Sequence, residues 1–227
     1  MAFKMEAILG AFIGAVVGSL GAVLLENWLR YRRERYEKES QLVERYLLQL
    51  QNALESLYYR FVNISKLGGR TLMSDQYYNI STLYALACVL AFKQILLLDG
   101  VYPKLLRFKG TKNDLRRNLQ QIDWMLDDSI FLHYHRLALA ESVVEQEKGH
   151  SRLSTYIDFS RRYQEDAHIR QAISPAEEFV KRIDSAKVNQ VLMHLQSLIL
   201  QIEKLTGLPS AIHLAETRRT SNIHQSF

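Results

Sequence analysis

The sequence predicts an all-α protein, with a single N-terminal transmembrane helix followed by a cytoplasmic helical bundle whose first helix is long. Three observations lead to this fold class. The 227 residues include only three prolines and ten glycines, too few turn-forming residues for an all-β fold. An uncharged run lies near the start of the chain. Heptad spacing of apolar residues follows it and recurs near the end.

The uncharged run covers residues 7–25 and predicts a membrane anchor over residues 1–28. As a helix rising about 1.5 Å per residue it is roughly 28 Å long, close to the thickness of the hydrocarbon core of a bilayer. A cleaved signal peptide is the alternative. The anchor is favoured because no A-x-A cleavage site ends the run, and no proline or glycine separates it from the charged helical pattern of residues 30–41.

The charges that flank the span predict its orientation. Lys4 precedes it, whereas five basic residues follow closely: Arg30, Arg32, Arg33, Arg35 and Lys38. The positive-inside rule therefore places the N-terminus outside and the C-terminal domain in the cytoplasm. We expect a single-pass protein of the cell inner (plasma) membrane, with the lipid bilayer as its first partner.

Four small residues within the span predict self-association. Gly10, Gly14, Gly18 and Ala22 are spaced four residues apart and form one nearly flat stripe on a helix. Such a stripe lets two membrane helices approach closely. Gly and Ala are also common in membrane spans, which is the alternative explanation. The repetition in register favours a homo-oligomer.

Heptad spacing predicts two long amphipathic helices. The first, over residues 29–67, is the juxtamembrane and first bundle helix, and its apolar residues are Val43, Leu47, Leu50, Leu54, Leu57, Phe61 and Ile64. The second runs from an N-cap at Ser185 to the terminators Gly207 and Pro209. The two apolar stripes pair in one bundle, or the first helix forms a parallel coiled-coil dimer. Residues 208–227 are predicted to be a polar, disordered tail.

Residues 68–207 form the remainder of the predicted helical domain. Within them, the apolar segment 80–98 is expected to be a buried core helix rather than a second span, because Lys93 interrupts it and Asp99 follows it. Cys88 is then a small buried hydrophobic residue.

Two further helix starts are predicted in this region. One helix is expected from Thr111 or Asn113 to about Asp127. Ser174 and Pro175 resemble the cap and first residue of a short helix that ends near Ile183.

Residues 103–117 form a basic segment with a local net charge of +5. It contains one acid, Asp114, and six basic residues: Lys104, Arg107, Lys109, Lys112, Arg116 and Arg117. We expect this patch to contact the anionic inner leaflet of the membrane, and a solvated loop is the alternative. Nucleic acid is disfavoured as a partner, because no RNA-recognition motif or zinc finger accompanies the charge.

Two histidines are candidates for chemistry. His133 and His135 would share a face on a strand and could there hold a metal with Glu141, but on a helix they point about 200° apart. We expect no metal site and no cofactor. Signatures of phosphate-binding loops, nucleophile elbows and zinc proteases do not occur.

Three stretches resemble uncharacterised bacterial proteins that have one N-terminal span and a helical cytoplasmic domain. The matching residues are Ser81 to Ala87 with Phe92, Ile95 and Leu96, then Phe131, Leu132, Arg136 and Glu141, and finally Leu195, Gln196, Leu198 and Ile202. The resemblance implies the architecture described above and transfers no activity.

The sequence therefore predicts a membrane-anchored helical interaction protein, a scaffold or adaptor. The alternative is a membrane-tethered hydrolase or nuclease, with a site assembled from His133, His135, Glu141 and His168. Convergence of these four side chains in one cleft would favour the enzyme, and their dispersal would favour the adaptor.

Overall fold

The computed structural model describes the backbone of residues 2–66, 76–104, 114–147 and 150–213, with their side chains except those of residues 2–23, 39, 42 and 150. Most of these residues are helical, which confirms an all-α class with little strand. The helices are α1 (Ala2–Lys66), α2 (Gln76–Leu98), α3 (Asp114–Met125), α4 (His133–Glu141), α5 (Tyr156–Glu165), α6 (Ala167–Arg182) and α7 (Ser185–Thr206). Two short strands, β1 (Val144–Glu147) and β2 (His150–Leu153), lie between α4 and α5.

Helix α1 is continuous, and its residues belong to two compact units, Met1–Leu42 and Val43–Phe227. In the first unit, large apolar side chains are at least half exposed: Leu24, Leu25, Trp28 and Leu29. In the second unit, the apolar heptad residues from Val43 to Ile64 are buried. The sequence therefore identified the buried face of this part of α1 correctly.

Helix α2 lies at the centre of the second unit. Helices α3, α4, α5 and α6 and strand β2 all pack against it. Among the described residues it is the one helix long and apolar enough to cross a membrane, but 78% of its most apolar window is buried inside the protein. This burial agrees with a core helix, the interpretation that the sequence favoured.

The strands form an antiparallel hairpin that the sequence did not predict, with Val144 opposite Leu153. The hairpin is fixed to the helices through Asp99, which follows α2. The Asp99 carboxylate accepts hydrogen bonds from the backbone N–H and hydroxyl of Ser151, and from the hydroxyl of Tyr46 on α1. Burial and the hydrogen bond to Asp99 raise the pKa of Tyr46 to about 12, so this hydroxyl stays a donor at neutral pH.

Helix α6 begins eight residues before the predicted start at Pro175. Asp166 is its N-cap, and its carboxylate accepts hydrogen bonds from the backbone N–H groups of His168 at 2.8 Å and Ile169 at 3.3 Å. Pro175 lies inside the helix. The predicted start at Ser174 was wrong. The cap at Asp166 and the burial of Ile173, Ala176 and Phe179 stabilise the longer helix by more than Pro175 destabilises it.

Helix α7 begins at Ser185, which was predicted to be its cap; the cap is instead Asp184, whose carboxylate accepts a hydrogen bond from the backbone N–H of Lys187 at 2.7 Å. The helix ends at Gly207, whose φ of +72° favours glycine. In the predicted tail, Ser210 and Ile212 are buried, so its first residues are part of the folded unit. Residues 214–227 lie outside the described residues.

Helix α3 extends from Asp114 to Met125, close to the expected bounds, and packs against α7. The Asn118 side chain donates a hydrogen bond to Gln201 at 2.8 Å. The backbone oxygen of Asn118 lies 2.9 Å from Nε2 of His194. These polar contacts set the register between two helices that are far apart in sequence.

A buried ion network joins α2, α3 and α4. The Arg136 guanidinium is 5% exposed and lies 2.7 Å from Asp123, 2.6 Å from Asp127 and 2.7 Å from the backbone oxygen of Phe131. Lys93 also pairs with Asp123. Burial raises the pKa of Asp123, but hydrogen bonds and charges from Lys93 and Arg136 outweigh it and hold this pKa below its ordinary value.

We predict that Arg136→Met lowers the free energy of unfolding by about 3 kcal/mol at neutral pH, because it leaves Asp123 buried with one partner fewer. The lowered pKa of Asp123 contributes stability that is present above the unfolded pKa and lost as pH falls through the folded pKa. The variant should therefore lose less of its remaining stability on acidification. Denaturant unfolding followed by near-UV circular dichroism at pH 7 and pH 3 measures both effects.

The matched control is Arg161→Met, which removes an exposed pair with Asp158. This change should cost much less stability than Arg136→Met, because solvent screens an exposed ion pair. Equal losses for the two variants would contradict a structural role for the Arg136 network.

Candidate functional site

A groove of about 580 Å³ opens between α1 and α2 within the second unit. The beginning of α5 and two residues of β2, Arg152 and Leu153, close it on one side. Its volume lies in the range typical of ligand-binding clefts, roughly 300 to 1,000 Å³.

The two helices line the groove with matching periodicity. Helix α1 contributes Arg45, Gln49, Asn52, Ala53, Ser56 and Arg60, and α2 contributes Tyr77, Ser81, Tyr84, Ala85, Cys88 and Phe92. Both sets follow spacings of 4, 3, 1, 3 and 4 residues, so each covers one face of its helix over about four turns. The groove is therefore a long channel that runs along both helices.

The floor of the groove consists of small residues of α2. Ser81, Ala85 and Cys88 are all buried, as is Ala53 of α1. Burial raises the pKa of the Cys88 thiol to about 12, so it is not a nucleophile at neutral pH. Small side chains on both helices leave the space that forms the groove.

Three tyrosines form an aromatic wall. The ring of Tyr156 meets the rings of Tyr77 and Tyr84 edge to face, with centroids 6.0 Å and 5.6 Å apart. The hydroxyl of Tyr84 donates to the backbone oxygen of Ser154 at 2.8 Å, which joins α2 to the loop after β2. Tyr84 is therefore held by a hydrogen bond, whereas the side chain of Tyr77 is 62% exposed.

The charges that line the groove are positive. Arg45, Arg60 and Arg152 contribute guanidinium groups, and within the described part of the chain no carboxylate or imidazole lines the groove. Arg152 is paired with Glu145 at 3.1 Å and with Glu147 at 2.7 Å. The guanidinium groups of the groove thus attract anions.

The four residues of the predicted hydrolase site lie on two helices, α4 and α6, which pack against each other. His133, His135 and Glu141 lie on α4, where the two histidines cannot share a face, and His168 lies in the first turn of α6. His133 is 3.8 Å from Asp123 of the ion network, and the backbone N–H of Leu132 donates to Nδ1 of His135. The described residues hold no group of three or more His, Cys, Asp or Glu placed to bind a metal.

The basic patch is described only in part. Lys104 is half-buried, and Arg116 and Arg117 are exposed on α3, where Arg117 lies 3.3 Å from Asp114. Arg107, Lys109 and Lys112 fall outside the described residues. Positions Gly10, Gly14, Gly18 and Ala22 lie within α1, whose backbone is helical there, and their side-chain surroundings are likewise outside the description.

Sequence reasoning missed the groove, although a signal was present. Beside the apolar stripe of α1, polar residues repeat at heptad spacing from Arg45 to Arg60, and those that line the groove include no acid. A solvated helix face usually carries both acidic and basic residues. A polar face with basic residues alone was therefore the signal for a binding surface.

No protein-family model, curated protein or solved structure matches the chain.

Proposed function

We propose that this protein is a membrane-anchored helical interaction protein, a scaffold or adaptor that acts on the cytoplasmic face of the inner membrane. The observation that carries the proposal is the groove, which is long and lined by arginine, amide, hydroxyl and tyrosine side chains. Such a lining is typical of binding surfaces.

The anchor is proposed from the sequence together with the helical backbone of the first unit. Residues 7–25 are uncharged, and the backbone is helical from residue 2 through this run. The exposed side chains of Leu24, Leu25, Trp28 and Leu29 suit a segment that meets lipid, and the basic residues from Arg30 to Lys38 suit the cytoplasmic interface. We also propose that the basic patch, including Lys104, Arg116 and Arg117, contacts the anionic leaflet.

The alternative, a membrane-tethered hydrolase or nuclease, is less well supported. Its four candidate residues do not line the groove, and His133 and His168 lie on different helices. A catalytic site requires its acid and base within reach of one substrate atom. The two histidines of α4 point to different faces of that helix, which favours the interaction protein.

We predict that a green fluorescent protein fused after Phe227 fluoresces in the inner-membrane fraction, whereas alkaline phosphatase fused there is inactive. The reason is that the basic flank of residues 30–38 retains the C-terminal side in the cytoplasm. Replacing Arg30, Arg32, Arg33 and Arg35 with Gln should raise phosphatase activity. An active phosphatase fusion on the unmodified chain would contradict the proposed orientation.

We predict that Gly14→Ile weakens self-association of the span in a membrane two-hybrid assay, because a branched side chain then separates the close-contact stripe. Val16→Phe is the matched control, since position 16 lies about 160° from Gly14 around a helix and the substitution adds similar bulk. If both variants associate like the parent at equal expression, the glycines have no role in oligomerisation.

The interaction function itself is tested by photo-crosslinking in cells. With p-benzoylphenylalanine at Tyr77, a 62% exposed residue of the groove, ultraviolet light should produce a discrete crosslinked product. Met193 on α7 is 68% exposed and lies outside the groove, so the same amino acid there should not produce that product. If Tyr77 gives no ultraviolet-dependent product at normal expression, the groove is not an interaction surface and the proposal fails.

A further inference from the structure

The length of the groove constrains its occupant. Arg45 and Arg60 are 15 residues apart on α1, which corresponds to about 22 Å along the helix. An extended chain rises about 3.3 Å per residue, so about seven residues span this distance. The occupant is therefore linear, and groups at its two ends meet different arginines.

Two arginines are free to bind an anion. Arg45 forms no ion pair within the described part of the chain, and neither does Arg60, whose guanidinium lies over the rings of Tyr77 and Tyr78 at 5.9 Å and 5.0 Å. Arg152 is already neutralised by Glu145 and Glu147. Positive charge is thus left near both ends of the groove, and planar guanidinium groups bind carboxylates with two hydrogen bonds.

Between the arginines, the walls carry groups that can bind a peptide backbone. Gln49 and Asn52 supply amides, and on the floor the Ser81 hydroxyl, which donates to the backbone oxygen of Tyr78 at 3.1 Å, can still accept a hydrogen bond. The Ser56 hydroxyl donates to the backbone oxygen of Asn52 at 2.8 Å and can still accept a hydrogen bond. A helix satisfies its own backbone groups and can meet these side chains only through side chains of its own, whereas an extended chain also offers free backbone N–H and C=O groups.

We propose that the groove binds an extended acidic peptide of a partner protein, about seven residues long, with one carboxylate near Arg45 and another near Arg60. This deepens the proposed interaction function and rests on it. The small residues Ala85 and Cys88 on the floor accept the apolar side chains of the peptide. The chain's own C-terminal residues 214–227 contain Glu216 against Arg218 and Arg219, so charge complementarity favours a partner.

The test is selection of random 12-residue peptides displayed on phage against the full chain in lipid nanodiscs, with empty nanodiscs for subtraction. We expect the enriched sequences to carry Asp or Glu at two positions about six residues apart, without a helical apolar pattern. The most enriched peptide is then synthesised with a fluorophore, and its dissociation constant is measured by anisotropy. Binding should weaken as salt is raised, because it depends on ion pairs.

Two variants test the geometry. Arg45→Gln with Arg60→Gln should raise the dissociation constant at least about tenfold, since charge-assisted hydrogen bonds are lost at both ends. Ser56→Trp should do the same without any change of charge, because Ser56 is exposed in the middle of the α1 face and the indole fills the groove.

Matched controls exclude general effects. Ser65→Trp adds the same indole at an exposed position of α1 outside the groove, and Arg161→Gln with Arg170→Gln removes two exposed charges elsewhere. Both should bind the peptide within about twofold of the parent.

The proposal is overturned if no peptide is enriched, if the enriched peptides are neutral or have an amphipathic helical pattern, or if Ser56→Trp binds as tightly as Ser65→Trp. A crosslinked product at Tyr77 together with any of these results would leave the interaction function intact and reject only the acidic peptide. Absence of the product would reject the interaction function itself.

Discussion

The constraint on which the second unit depends is the burial of α2. This helix is apolar on nearly every face, so leaving any face in water would cost about 25 cal/mol for each Å² of apolar surface. Four helices and a strand cover it. Its one charged residue, Lys93, is neutralised by Asp123, and Arg136 holds Asp123 in place. The ion network thus lets a lysine occupy an otherwise apolar helix and fixes the positions of α3 and α4.

The groove is a consequence of how α2 is covered. Small residues, Ser81, Ala85 and Cys88, lie where α1 and the hairpin converge, and Ala53 faces them from α1. Close packing would require larger side chains to fill that space. Two hydrogen bonds fix the elements around the groove: Tyr46 with Asp99 joins α1 to the residue after α2, and Tyr84 with Ser154 joins α2 to the loop after β2. If the groove binds a partner as we propose, walls fixed in this way lose little conformational entropy when it is occupied.

Some polar groups of the second unit hold the fold together, and others line the groove. Carboxylates of the second unit are used in structure: Asp123 in the ion network, Asp99 at the hairpin, and Glu177, which binds Asn79, Tyr163 and Lys181. Arg45 and Arg60 line the groove and form no ion pair with the described residues, so they remain available to bind an anion. The membrane anchor that we propose would give such a surface a fixed location, and an adaptor needs both a location and a binding site.

The sequence by itself determined the features that depend on local pattern. The uncharged run, the buried stripe from Val43 to Ile64, the core helix around Cys88 and the end of α7 at Gly207 all follow from composition, periodicity and backbone preference. Tertiary structure alone decided the start of α6, the hairpin and the groove. The sequence offers two helix starts, at Asp166 and at Pro175. The start at Asp166 is favoured only because the apolar face of α6 is buried in the folded protein. The Arg45 and Tyr77 faces become one site only when α1 and α2 pack side by side, because contacts between residues far apart in sequence leave no local pattern.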